Sequence, residues 1–189
     1  MSCGSLEIVM GPMFAGKSST ILSRVRRART LGWNCFLVTA AIDTRYDSSG
    51  ASIMTHDKDG VSAYGAVKLG DVKGMSEYME AKLVMIEEGQ FFPDLYDFVV
   101  EAVEKDGKDV IVVGLDGDSE RKPFGKILDL LPLADKVTKL TSLCKRCGDG
   151  TAAIFSACVK GTKDGQICVG GADMYEPMCR KHYIENSKH

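Results

Sequence analysis

Residues Gly11-Pro12-Met13-Phe14-Ala15-Gly16-Lys17-Ser18 fit the pattern G-x-x-x-x-G-K-[ST] and directly follow the apolar run Leu6–Met10. This pattern does its work only between a buried strand and the start of a helix, where glycines let backbone N–H groups turn inward onto a triphosphate. Lys17 then reaches the β and γ phosphates, and the Ser18 hydroxyl is placed to hold Mg²⁺. The following segment, Ser18 to Leu31, carries Ile21, Leu22, Val25 and Ala28 at helical spacing, and Gly32 stops it. A chance glycine-rich turn would not need the strand, the helix, the lysine and the serine together. Nucleoside triphosphate binding is the working premise.

The chain has 189 residues, enough for one domain or for one domain with a small appendage. With 44% hydrophobic and 26% charged residues it can build a core. A net charge of −2 argues against nucleic acid as a general partner. The basic cluster Arg24, Arg26, Arg27 and Arg29 lies within one helix, as a solvated face or as partners in subunit salt bridges. No 18-residue apolar stretch and no secretory pattern is readable, so a cytoplasmic location is expected and no membrane partner. Seven cysteines is an odd count, and disulfides are not the expected use.

Up to about Leu140 the chain alternates apolar runs with helical stretches, the syntax of an α/β fold. Cys35–Thr39, Leu83–Ile86 and Val110–Gly114 read as buried strands of a parallel sheet, because they run apolar without alternation. Asp94 to Lys105 reads as a helix, with Leu95, Phe98, Val99, Ala102 and Val103 on one face and Gly107 after its end. Ile53–His56 and Val61–Ala66 are expected to pair as a hairpin. His56 there reads as a polar surface residue.

After Leu140 glycine becomes frequent and cysteines appear in pairs. Cys144-Lys-Arg-Cys147 and Cys179-Arg-Lys-His182 each offer two ligands from one tight turn, which together suit tetrahedral Zn²⁺. Four protein ligands leave no open position, so the expected role is structural. Cys3, Cys35, Cys158 and Cys168 read as ordinary small residues. The chain thus divides into residues 1–140, a P-loop α/β nucleotide-binding domain whose parallel sheet is flanked by helices, and residues 141–189, a small zinc-ribbon-like domain.

A phosphate loop needs acidic groups opposite it. Glu87 and Glu88 end the Leu83–Ile86 strand, where adjacent side chains point differently, so that one faces the metal and the other the phosphoryl acceptor. Asp43-Thr44-Arg45-Tyr46 follows the second strand. Arg45 is placed to spread charge off a transferring phosphoryl group, whereas Asp43 equally well caps its loop or pairs with Arg45. The loop from Leu115 to Phe124 leaves the last strong strand, in a position that suits substrate binding.

Taken in order, Gly11 to Ser18, Asp43 to Tyr46, Glu88-Gly-Gln-Phe-Phe-Pro93, Arg121-Lys-Pro-Phe124, the two metal pairs and Gly170-Gly-Ala-Asp-Met-Tyr175 resemble the thymidine kinases that carry a zinc-binding lasso. The resemblance spans nearly the whole chain. It implies transfer of the ATP γ-phosphate to the 5′-hydroxyl of thymidine or deoxyuridine, with Mg²⁺ and a structural Zn²⁺. It implies Glu88 as general base, Lys17 and Ser18 on phosphate and Mg²⁺, and Asp43 and Arg45 beside the transferred group. Gly11, Gly16 and Met13 belong to the phosphate cradle, with Glu87 toward the metal. Met13, Phe91, Leu115, Ser119, Gly170 and Tyr175 line the nucleoside pocket, and a lasso of about residues 161–175 closes over the base. A homotetramer and feedback inhibition by dTTP are also implied.

Some positions depart from that pattern. Ser119 stands where many members carry an aromatic residue, a loss on the order of 1 kcal/mol of nucleoside binding unless another ring compensates. Glu87 replaces a frequent aspartate, His182 a frequent cysteine, and Ala157 a small hydroxyl residue. The competing class is a zinc-ribbon ATPase acting on nucleic acid, which the acidic composition disfavours.

Overall fold

Burial on both faces makes the apolar runs the middle of a sheet. The computed structural model describes residues 3–41, 51–53, 61–160, 163–164, 167–168 and 172–187. Strands β1 (Leu6–Met10), β2 (Cys35–Ala40), β3 (Ala51–Ile53), β4 (Val61–Ala66), β5 (Leu83–Glu87), β6 (Asp109–Gly114) and β7 (Lys136–Lys139) form one sheet in the order β3-β4-β2-β5-β6-β1-β7. Six strands run parallel, and β3 alone pairs antiparallel, with Ile53 opposite Val61. That is the expected hairpin as far as it is described; His56, Asp43, Arg45 and Gly170 lie outside the described residues.

Alternate side chains of each central strand enter different cores. Ile8, Val84, Ile86, Val110 and Val112 pack on one side with Leu95, Phe98, Val99 and Ala102 of α3 (Leu95–Glu104) and with Ile127 and Leu130. Val9, Leu37, Met85, Ile111 and Val113 pack on the other side with Ile21, Val25 and Ala28 of α1 (Lys17–Thr30). Each such buried aliphatic side chain contributes about 1.5–3 kcal/mol relative to exposure. A short helix, α2 (Ser76–Glu80), buries Tyr78 at the rim.

Asp94 precedes α3 without capping it. Its carboxylate accepts the N–H groups of Leu69 and Gly70 instead, tying α3 to the turn before α2. Arg24 of the basic cluster faces inward on the chain, donating from Nε and Nη2 to the two oxygens of Glu7 at 3.1 and 2.7 Å while Lys136 approaches the same carboxylate at 2.9 Å. Strand β7 escaped the sequence reading because it is a short edge strand, mostly exposed, whose two lysines pair with Glu7 and Asp116.

Beyond Leu140 the strands are short. β8 (Ser142–Leu143) pairs with β9 (Ala152–Ala153), β10 (Phe155–Cys158) with β13 (Tyr175–Met178), and β11 (Lys163–Asp164) with β12 (Ile167–Cys168), all antiparallel. Helix α4 (Arg180–Asn186) follows, and Ala157, Met178 and Tyr183 form a separate small core. Cys3 and Cys35 are free thiols as expected, but Cys158 is disulfide-bonded. Spacing along the chain does not reveal the Cα separation on which a bridge depends.

Candidate active site

The parallel sheet delivers the ends of β1, β5 and β6 to one edge, where ligands of such sheets collect. Gly11 leaves β1 at φ 155°, and a Cβ there would lie 2.5 Å from the Leu140 carbonyl oxygen. Gly16 (φ 80°) and Phe14 (φ 63°) shape the rest of the loop, and Phe14 projects outward at 58% exposure. The loop is braced by residues far along the chain. Met13 N–H donates to Ser156 Oγ at 2.9 Å, and Ser142 Oγ donates to the Phe14 carbonyl at 3.0 Å. Neither serine is marked by any motif.

Lys17 folds back over the loop, donating to the carbonyls of Pro12 at 2.8 Å and Gly11 at 3.3 Å. Desolvation lowers its pKa, and the negative fields of Glu88, Asp116 and Glu87 oppose that. One ammonium therefore faces three carboxylates. Asp116 was not singled out in the sequence; it also pairs with Lys139 at 2.7 Å.

Ser18 Oγ donates to Glu87 at 2.6 Å. The pair places a hydroxyl and a carboxylate side by side, the donor set a hard cation such as Mg²⁺ takes. Burial pushes the Glu87 carboxyl up to about 7; the Ser18 hydroxyl pulls down, Glu88 pushes up and Lys17 pulls down. From an ordinary value of 4.5 to about 7 the folded state holds the extra proton. The cost of this group is thus absent below the lower value and complete above the upper. Glu87→Gln is expected to remove that slope: in metal-free buffer its melting temperature should match the parent near pH 4.5 and exceed it at pH 8. The gain is on the order of 1–3 kcal/mol. A mutant-minus-parent difference that stays flat across this range would refute the assignment.

Glu88 sits just past β5 with φ 53°, a strained conformation for a residue with a side chain. Gln90 Nε2 donates to its Oε2 at 2.5 Å, and Gln90 Oε1 accepts the Leu115 N–H at 3.0 Å. Phe91 packs edge-to-face on Phe124 with centroids 5.2 Å apart. Ser119 is buried, its carbonyl accepting the Tyr183 hydroxyl at 2.6 Å. Arg121 (φ 68°) lies over the rings of Tyr183 and Phe155, so α4 grips the loop that carries Ser119. Tyr175 lines a cavity of about 750 Å³ with Phe14, Leu143, Lys145, Lys160 and Asp173. Lys17, Glu87 and Glu88 are absent from its walls.

The two metal pairs converge. His182 Nδ1 lies 3.4, 3.3 and 3.5 Å from the sulfurs of Cys144, Cys147 and Cys179, and Cys147 Sγ lies 3.8 Å from Cys179 Sγ. A tetrahedron with Zn–S near 2.3 Å and Zn–N near 2.0 Å has edges of about 3.8 Å between sulfurs and about 3.5 Å between sulfur and nitrogen. The cluster can hold zinc. Burial works against a thiolate at Cys144, yet hydrogen bonds from the Cys179 and Cys147 backbones and the His182 ring bring its pKa down to about 6. Glu185 stands 3.9 Å from His182 Nε2, on the side where a carboxylate steadies a metal-binding imidazole.

With this geometry in hand, comparison with known proteins gives one answer. The family model described as thymidine kinase matches residues 4–183. The chain belongs to the thymidine kinase family. It is 41% identical to a thymidine kinase of Variola virus over 186 residues, 98% of this chain and all of the relative. It is 41% identical to the cytosolic thymidine kinase of Homo sapiens over 184 residues, 97% of this chain and 75% of the relative. Thymidine kinase a of Arabidopsis thaliana is 40% identical over 186 residues, 97% of this chain and 76% of the relative. The family resemblance read from the motifs is therefore correct, and so is the α/β class. None of the described helices is long and apolar enough to cross a membrane.

Proposed function

We propose that this chain transfers the γ-phosphate of ATP to the 5′-hydroxyl of thymidine, and of deoxyuridine, giving the 5′-monophosphate. The observation that carries the reading is the set of Lys17, Ser18, Glu87 and Glu88 at the end of β1 and β5 in a chain of this family. Glu88 accepts the 5′-hydroxyl proton as the nucleophile attacks. Lys17 leaves its two loop carbonyls for the β and γ oxygens, where its charge follows the phosphoryl group. Mg²⁺, held by Ser18 with Glu87 beside it, would supply charge neutralisation of the phosphates. By family resemblance, Asp43 and Arg45 stand beside the transferred phosphoryl, and Met13, Phe91, Leu115, Ser119, Gly170 and Tyr175 enclose the nucleoside. Residues 141–189 act as the unit that closes over the base.

Phosphorylation assays with ATP and Mg²⁺ across thymidine, deoxyuridine, deoxycytidine and deoxyguanosine test the reading. Product from the first two alone is expected, and ATP turnover that ignores thymidine but rises with single-stranded DNA would replace it with the ATPase alternative. We also assign Zn²⁺ to Cys144, Cys147, Cys179 and His182. One zinc per chain is expected by elemental analysis, and Cys147→Ser should lose it and expose the region after residue 140 to limited proteolysis. Full protease resistance without metal would refute a structural role. A homotetramer and inhibition by dTTP follow from the family, and light scattering and dTTP titration check them.

A further inference from the structure

We propose that Gln90 is a positioning residue for the phosphoryl-transfer step, acting through Glu88. The inference rests on the assignment of Glu88 as base. Gln90 is 4% exposed, yet both ends of its amide are used: Nε2 on Glu88 Oε2, Oε1 on the Leu115 N–H. A neutral donor on a carboxylate makes a charge-assisted bond, which fixes the direction of the acid without adding a competing charge. With Oε2 held, Oε1 is the oxygen offered to the acceptor hydroxyl.

The slot that holds this amide is built by its neighbours. A Cβ at Gly114 would lie 2.2 Å from Gln90 Oε1 and 2.5 Å from Ile127 Cδ1, and one at Gly125 would lie 2.1 Å from the Gln90 carbonyl oxygen. Gly114 at the end of β6 therefore leaves room for the Gln90 amide, and Gly125, in the turn after Phe124, leaves room for the Gln90 backbone. Glu88 itself is held at φ 53° with its carbonyl bonded to the Phe91 N–H at 3.1 Å, so its backbone cannot swing to compensate for a lost amide. The same amide also ties the end of β5 to the start of the loop after β6. Base and acceptor loop are thereby set in register through one residue.

Gln90→Met removes both polar ends at similar size, and Gln90→Glu keeps the acceptor for Leu115 N–H while replacing the neutral donor to Glu88 with a second carboxylate. Both are expected to lower kcat by about tenfold or more, with the KM values for thymidine and ATP within about threefold of the parent. The deciding measurement repeats Gln90→Met in a Glu88→Gln background, with zinc content and melting temperature recorded for every variant. If Gln90 acts through Glu88, the second substitution lowers kcat by less than about twofold there. An equal loss in both backgrounds, or no loss in the parent, overturns this inference and leaves the assignment of Glu88 standing. A Glu88→Gln enzyme as fast as the parent overturns both.

Discussion

Glu88→Gln is expected to lower kcat on thymidine by about two to four orders of magnitude, the range for loss of a positioned general base. The amide matches the carboxylate in size and cannot take the 5′-hydroxyl proton. The backbone at φ 53° and the bond from Gln90 hold the side chain where it is, so no other oxygen moves in to substitute. KM for ATP should change little, because the phosphate loop is built from β1 and α1 and not from this residue. Steady-state kinetics at saturating ATP decides the matter. A kcat within tenfold of the parent would mean that the proton leaves by another route.

Lys17→Met should be nearly as damaging, by about two to three orders of magnitude in kcat/KM for ATP. Lys17 is the cation facing Glu87, Glu88 and Asp116, so its removal does more than delete one phosphate contact. Glu87 and Glu88 are left to repel an incoming triphosphate, while Asp116 keeps its pair with Lys139. The loss should exceed that of Ser18→Ala, which removes one hydroxyl and leaves the balance of charge intact. Direct measurement of ATP binding separates the two variants, and equal losses would show that Lys17 contributes nothing beyond a single hydrogen bond.

The glycine-rich loop after β1, the three buried strands, both long helices and the Cys144, Cys147, Cys179 and His182 cluster were legible because each obeys a local rule. Strand runs stay apolar when both faces are covered, helices repeat every three to four residues, and ligands pair across tight turns. Strand β7 gave no such signal, since an edge strand of two lysines, a valine and a threonine is stabilised by pairing with β1 and not by its own pattern. The acidic pair Glu87-Glu88 was visible as a pair. Their division into a carboxyl pushed up to about 7 by burial and a carboxylate on a left-handed backbone gripped by Gln90 was not.

What the sequence determined by itself is what neighbours along the chain decide: the glycine-rich loop after β1, the α/β alternation, the paired Cys and His positions and the family they spell. What only the tertiary structure decided is the company each side chain keeps. Gln90 reaches Leu115, Met13 reaches Ser156, and Tyr183 reaches Ser119 across separations of 25, 143 and 64 residues. Desolvation and hydrogen bonding depend on distances in space. No local pattern carries those, because they exist only after the strands have taken their order in the sheet.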